Sequence, residues 1–191
     1  ISLVKNKSLF QLLAEKTIAA GKQAGKMLRL AIMTSPQNHE DTINFFRDHE
    51  NFGLSLLQLS FFCQGELPLL NQEGNLFLED KHILSMGPDG NGSSLKNFVE
   101  SGIWEAWKRA GIEYVNFVLI DNPLADPFDA SLIGLHASKN NDVTIKCIER
   151  IDPTENVGVL VRKNDHIEVV EYSEMPQAEK TATLGDGSLK H

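Results

Sequence analysis

The sequence predicts an α/β fold: a doubly wound, mostly parallel (mixed) sheet with helices on both faces. Three observations carry that expectation. Residues 28–34 and 56–62 are compact apolar runs that end at turn-forming residues, as buried strands do. Residues 114–120 are almost unbroken in apolar content, which suits a strand covered on both faces. Stretches with helical periodicity separate these runs at roughly the 30-residue scale of a βαβ unit.

The elements follow in order. Ser8 and Gln11 have the spacing of a capping box, and Leu9, Leu12, Leu13 and Ala20 recur at helical intervals up to Gly21 or Gly25. A strand over 28–34 stops at Ser35 and Pro36, and Asn38 and Asp41 cap a second helix carrying Ile43, Phe45 and Phe46. After the strand at 56–62, Gly65 and Pro68 open a loop and a weaker strand pair turns around Gly74. Residues 94–109 have helical spacing, split at Gly102. Beyond the strand at 114–120, Asp126 and Pro127 read as N-cap and first helical residue of a helix with Leu132, Ile133 and Leu135 on its body. Val143, Ile145 and Cys147 alternate with polar neighbours as in a strand, residues 157–161 and 166–172 form a hairpin around Asn164 and Asp165, and the polar residues from Glu174 read as loop.

Composition narrows the function. Net charge is −8 and no dense Lys/Arg cluster occurs, which argues against a nucleic-acid-binding protein but not against a single nucleotide, whose phosphates need only a few N–H groups, a cation or a metal. Cys63 and Cys147 are too few for a disulfide framework and are expected to be buried thiols. No leader pattern opens the chain and no run reaches the roughly 18 apolar residues of a membrane span, so no membrane partner is expected and the cytoplasm is the expected compartment.

In such sheets ligands bind beyond the carboxyl ends of strands, so the loops after Thr34, Phe62 and Ile120 are the places to look. Gln64 follows the second of these strands, and a side-chain amide there offers donor and acceptor together, matching the imide edge of uracil; an isolated Gln is more often a turn or surface residue. Gly87, Gly90 and Gly92 surround Pro88, Asp89 and Asn91 in a segment that can approach a ligand closely or simply make a tight turn. Asp121 ends the most apolar strand, where a carboxylate can hold Mg²⁺ or cap a turn. Glu171 ends a hairpin strand, either facing solvent or accepting from sugar hydroxyls. The six histidines form no metal-ligand spacing.

The order of these segments is more specific than any one of them. Lys7-Ser8-Leu9-Phe10-Gln11, Met33-Thr34-Ser35, the run from Phe61 to Pro68, and Pro88-Asp89-Gly90-Asn91-Gly92 are followed by Asp121-Asn122, Asp152-Pro153-Thr154-Glu155, Val157-Gly158-Val159 and the run from Val170 to Glu174. Together they resemble the eukaryotic-type UDP-N-acetylglucosamine pyrophosphorylases over nearly the whole chain. The resemblance implies a Rossmann-like nucleotide-diphospho-sugar transferase fold, with residues 1–191 forming part of a single catalytic domain. It also implies Mg²⁺-dependent transfer of uridylyl from UTP to N-acetylglucosamine 1-phosphate. It assigns uracil to Gln64 and the backbone at Gly90, and the nucleotide phosphates, the metal and a catalytic role to Asp121. The sugar falls to Asn91, Gly158, Glu171 and Tyr172. Two departures stand out. The family's glycine-rich triphosphate loop ending in Arg, and a downstream phosphate-contacting Lys, are not among these residues, so the chain is expected to be a central fragment. Ser93 and Ser94 stand where the family has Gly and a large residue, which is expected to alter the sugar side. Glucose 1-phosphate as the acceptor, and a catalytically silent UDP-sugar-binding protein, are the alternatives; glucose-specific relatives carry a His-containing loop in place of Asp89-Gly90-Asn91-Gly92.

Overall fold

Ser8 opens the first helix as its spacing predicts, its hydroxyl accepting the Gln11 amide at 3.1 Å, and Gly25 closes it in the left-handed region at φ 62°. In the computed structural model, which describes residues 2–4 and 6–190, this helix α1 spans Leu9–Ala24 and follows two short antiparallel strands, β1 (Ser2–Val4) and β2 (Lys7–Ser8). Next come β3 (Leu30–Thr34), α2 (His39–Asp48) and β4 (Leu59–Cys63). β3 and β4 pair in parallel, from Leu30 opposite Leu59 to Thr34 opposite Cys63, so their carboxyl ends open on the same edge. An antiparallel ribbon follows, with β5 (Glu66–Pro68) paired to β8 (Met86–Pro88) and β6 (Leu78–Asp80) to β7 (Ile83–Leu84), its far turn at Gly74. α3 (Ser94–Glu100) and α4 (Ile103–Arg109) are separated by Gly102 at φ 78°, a break legible in the sequence.

Side chains alternate along a strand, and the parallel pair uses both faces. Leu30 and Ile32 bury with Ala14 of α1 and Phe46 of α2, and Phe61 packs against the same cluster. Phe62, Phe98 and Trp107 bury together on α3, α4 and β4, with Ala31 and Met33 against them. The pair therefore has helices on each side. Phe46 is fully buried, and a side chain of that size removed from water stabilises a fold by roughly 1.5–3 kcal/mol.

Two predicted strands do not form. Residues 114–120 and 143–147 have no ladder partner among the described residues, and Phe117 and Ile145 are 50% and 60% exposed. Apolar content shows readiness to be buried, whereas a strand requires a neighbouring backbone to satisfy its N–H and C=O groups. Cys63 and Cys147 are both free and exposed, against the expected burial: Cys63 is the last residue of β4, past the covered part of the strand, and Cys147 lies in the unpaired stretch. The predicted helix start moves as well. α5 spans Ala130–Lys139, and its cap is Asp129, whose Oδ1 accepts from Ser131 at 3.0 Å and Leu132 at 3.1 Å. Asp126 instead closes a local turn by accepting from the Phe128 amide at 3.0 Å.

Residues 1–138 and 139–191 are two compact units. The second holds the predicted hairpin, β9 (Val159–Lys163) and β10 (His166–Val170), turning at Asn164 with φ 55°. The polar tail expected as loop adds a short helix α6 (Gln177–Lys180) and a bridge between Thr183 and Leu189. No helix among the described residues is long and apolar enough to cross a membrane.

Candidate functional site

The edge where β3 and β4 end is built around Thr34. Its carbonyl accepts the Gln64 amide at 2.8 Å, and its buried hydroxyl donates to the Phe62 carbonyl at 3.1 Å and lies 2.6 Å from His39 Nδ1 at the start of α2. Thr34 Oγ1 therefore links the end of β4 to the first residue of α2. The backbone on which Gln64 is mounted is thus fixed from two strands and a helix.

Gln64 in turn meets the glycine loop. Pairing of Glu66 with Pro88 and a 3.0 Å bond from the Asp89 amide to the Gly65 carbonyl bring residues 88–90 alongside residues 64–66. Gly90 adopts φ 84° and ψ −169°, a region essentially restricted to glycine, and its N–H donates to Gln64 Oε1 at 2.6 Å. That bond orients the side-chain amide: oxygen inward on Gly90, leaving Nε2 with two N–H donors for a ligand. The Gly90 carbonyl caps the Asn91–Ser93 turn and takes a long 3.4 Å bond from Ser93 Oγ; with two lone pairs it keeps acceptor capacity. A donor on Gln64 and an acceptor on the residue bonded to it are the kinds of group that an imide's carbonyl and N3–H require.

Asn91 is exposed at the head of a tight helical turn, Asn91–Ser93, that leads into α3. The two serines that depart from the family pattern hold this turn. Ser94 is buried and donates to the Asn91 carbonyl at 2.6 Å, and Ser93 Oγ accepts from Asn97 Nδ2 at 3.0 Å. Sequence reasoning missed Thr34 and His39 as supports of the site; no spacing rule relates a strand-end threonine to the first residue of the next helix.

Asp121 is exposed in a turn closed by the Asn122 amide on the Leu119 carbonyl at 3.2 Å, so it ends a turn and not a strand. No three His, Cys, Asp or Glu side chains gather into a metal site among the described residues. A single free carboxylate nevertheless fits Mg²⁺, which is commonly held by one or two carboxylates with substrate phosphates supplying further oxygens.

In the second unit the structure brings Gly158, Glu171 and Tyr172 into one neighbourhood. A Cβ on Gly158 would stand 3.0 Å from Val169 Cγ1 and 3.5 Å from Glu171 Oε1, so a side chain there would fit only if Val169 gave way by a few tenths of an ångström. Tyr172 follows Glu171, and Lys180 Nζ lies 5.9 Å from the centre of its ring. Buried Arg150 donates to the Lys180 carbonyl at 2.8 Å, tying α6 to the segment before the hairpin. Asp152 caps the Asp152-Pro153-Thr154-Glu155 turn, and the Thr154 hydroxyl and then the Thr154 amide hold its carboxyl below the usual range.

Residues 1–185 match the family model described as UTP–glucose-1-phosphate uridylyltransferase. The chain is 36% identical to UDP-N-acetylglucosamine diphosphorylase 2 of Arabidopsis thaliana, covering 96% of this chain and 39% of that protein. It is also 36% identical to the UDP-N-acetylglucosamine pyrophosphorylase of Saccharomyces cerevisiae, covering 100% of this chain and 41% of that protein. A crystal structure of the uridine diphosphate N-acetylglucosamine pyrophosphorylase of Trypanosoma brucei, in complex with an inhibitor, superimposes with a TM-score of 0.83 at 30% identity, covering 98% of this chain and 39% of that one. The chain thus spans about two fifths of the length of these curated relatives. With 185 of its 191 residues matched, it belongs to the UTP–glucose-1-phosphate uridylyltransferase family, a mixed α/β nucleotidyltransferase fold whose relatives include UDP-N-acetylglucosamine pyrophosphorylases.

Proposed function

We propose that the chain is the central part of one nucleotidyltransferase catalytic domain that forms UDP-N-acetylglucosamine and pyrophosphate from UTP and N-acetylglucosamine 1-phosphate. The observation that carries the reading is the Gln64–Gly90 pair at the carboxyl ends of two parallel strands, its free Nε2 and free carbonyl capacity matched to uracil. The parallel pair with helices on each side is consistent with the middle of a doubly wound sheet. The reaction and the substrates fit an in-line displacement. An oxygen of the sugar phosphate attacks the α-phosphorus of UTP, the bond to the pyrophosphate oxygen breaks, and pyrophosphate leaves with the electron pair.

No covalent nucleophile is needed, because such transfers depend on alignment and charge neutralisation. Mg²⁺, when bound, supplies that neutralisation, and Asp121 is the residue that would hold it. Gln64 would donate from Nε2 to a uracil carbonyl while Gly90 accepts from N3–H. Asn91 would lie along the sugar, and Gly158, Glu171 and Tyr172 would take its hydroxyls. The compartment we assign is the cytoplasm, and the partners are small molecules with no nucleic acid or membrane among them.

The family description names glucose 1-phosphate, which favours that acceptor as the second reading. One experiment separates the two and also the catalytically silent alternative. Pyrophosphate release by the full-length protein from UTP is measured with N-acetylglucosamine 1-phosphate and with glucose 1-phosphate. The reading predicts a higher kcat/KM for the first; a preference for glucose 1-phosphate reverses the substrate assignment, and no release with either removes the enzymatic one.

A further inference from the structure

The turn carrying Asp121 is tied down from outside by a lysine. Lys16, in the middle of α1, donates from Nζ to the Pro123 carbonyl at 2.7 Å and to the Ala125 carbonyl at 2.6 Å. These two acceptors are two and four residues beyond Asp121. The rest of the segment has little regular structure to hold it: residues 113–129 contain no strand or helix. It is held also by turns from Asn122 to Leu119 and from Ala125 to Asn122, both 3.2 Å, by a 2.8 Å bond from Asn116 Nδ2 to the Pro127 carbonyl, and by an edge-on contact of Tyr114 with His136 of α5 at 5.3 Å, with Asp126 and Asp129 accepting from the local amides already described. On the apolar side, Leu9, Leu12 and Leu13 of α1 line a small cavity of about 30 Å³ with Val118, Leu119 and Ile120. α1 is itself anchored in the core through Ala14 and Thr17, both fully buried, so the lysine projects from a rigid support.

A charged donor bound to two backbone carbonyls contributes more than neutral hydrogen bonds do, and it fixes the path of the chain rather than any one side chain. We propose that Lys16 is a positioning residue for Asp121: it sets the backbone from which that carboxylate reaches the metal and phosphates. The proposal rests on the reading that Asp121 holds Mg²⁺. A lysine that only helped the fold would lower stability without regard to the carboxylate. A positioning lysine acts through it, and the two effects should not add.

The test uses Mn²⁺ as the metal probe, with its affinity for the complex of full-length protein and UTP read from the electron paramagnetic resonance signal of free Mn²⁺. Lys16→Met should weaken that affinity on the order of tenfold, the scale of a modest misplacement of a site group. Lys16→Arg, which keeps charged donors, should stay within about twofold of wild type. In the Asp121→Asn background, already weakened, Lys16→Met should add no more than about twofold. Where Lys16→Met does not fold, Lys16→Gln takes its place with the same arms. Wild-type Mn²⁺ affinity in the Lys16 variant, or equal weakening with and without Asp121, overturns the proposal and leaves the reading of Asp121 standing. Wild-type affinity in Asp121→Asn alone removes that reading, and the proposal with it.

Discussion

Glu15 lies on α1 and forms a 2.6 Å ion pair with Lys7, while Gln11 Nε2 donates to its other oxygen at 3.0 Å. The Lys7 hydrogen bond, outweighing the cost of partial burial, holds the Glu15 carboxyl below its usual value. A depressed folded-state pKa contributes stability above the unfolded value, and that contribution is lost as pH falls through the folded one. Thermal unfolding of wild type and Glu15→Gln should therefore differ near neutral pH and converge as pH drops below the ordinary carboxylate range; a difference that does not change with pH contradicts the pairing. Gly158 supplies a second single-residue test. A methyl there pushes on Val169 and sits beside Glu171, so Gly158→Ala should cost about 1 kcal/mol of local fit and raise KM for the sugar phosphate on the order of fivefold. KM for UTP should stay unchanged, and steady-state kinetics with each substrate varied in turn checks the split. At this scale the sequence was informative about residue types and silent on partners. Gln64 is legible as an amide after a strand, but the bond that turns its oxygen toward Gly90 joins positions 26 residues apart and has no local signature.

Among the elements, those whose determinants are local were readable. Ser8, Gly25 and Gly102 mark helix ends by their own hydrogen bonding or backbone freedom, and the structure has breaks at each. Residues 114–120 and 143–147 were not readable, because pairing is decided by a second backbone that composition does not reveal. The helix predicted from Asp126 starts at Ala130 for a related reason: three carboxylate or proline signals compete within four residues, and Asp129 wins by reaching two amides. The glycine loop gives the prediction at this scale. At Gly90 a Cβ would meet nothing within 4 Å, so Gly90→Ala acts through the backbone alone. The conformation at φ 84° and ψ −169° costs a non-glycine residue roughly 1–3 kcal/mol. Gly90→Ala should lower Tm by a few degrees and kcat/KM for UTP on the order of tenfold, with little change in KM for the sugar phosphate. Calorimetry and kinetics together check it, and an unchanged kcat/KM would detach the Gly90 conformation from nucleotide use.

For the molecule as a whole, the ordered series of short segments identified the family, although each segment alone had an ordinary explanation. Of the residues assigned to the nucleotide, Gln64 and Gly90 meet, and of those assigned to the sugar, Gly158, Glu171 and Tyr172 share one hairpin end; what either group binds belongs to the proposal. Thr34 and His39 behind Gln64, and Lys16 on the turn that carries Asp121, were not legible, because each acts through a contact set by tertiary folding. The central claim is that the Gln64–Gly90 pair reads uracil, and its most direct test is the ratio of kcat/KM for UTP to that for CTP in wild type, Gln64→Ala and Gln64→Glu. Glutamate keeps an oxygen for the Gly90 N–H but replaces the Nε2 donor with a second acceptor, which opposes a uracil carbonyl and suits the amino group of cytosine. Unpaired polar groups cost roughly 1–3 kcal/mol each, so the wild-type preference for UTP should narrow by about tenfold in Gln64→Ala and further in Gln64→Glu. A ratio unchanged from wild type in both variants would contradict the account.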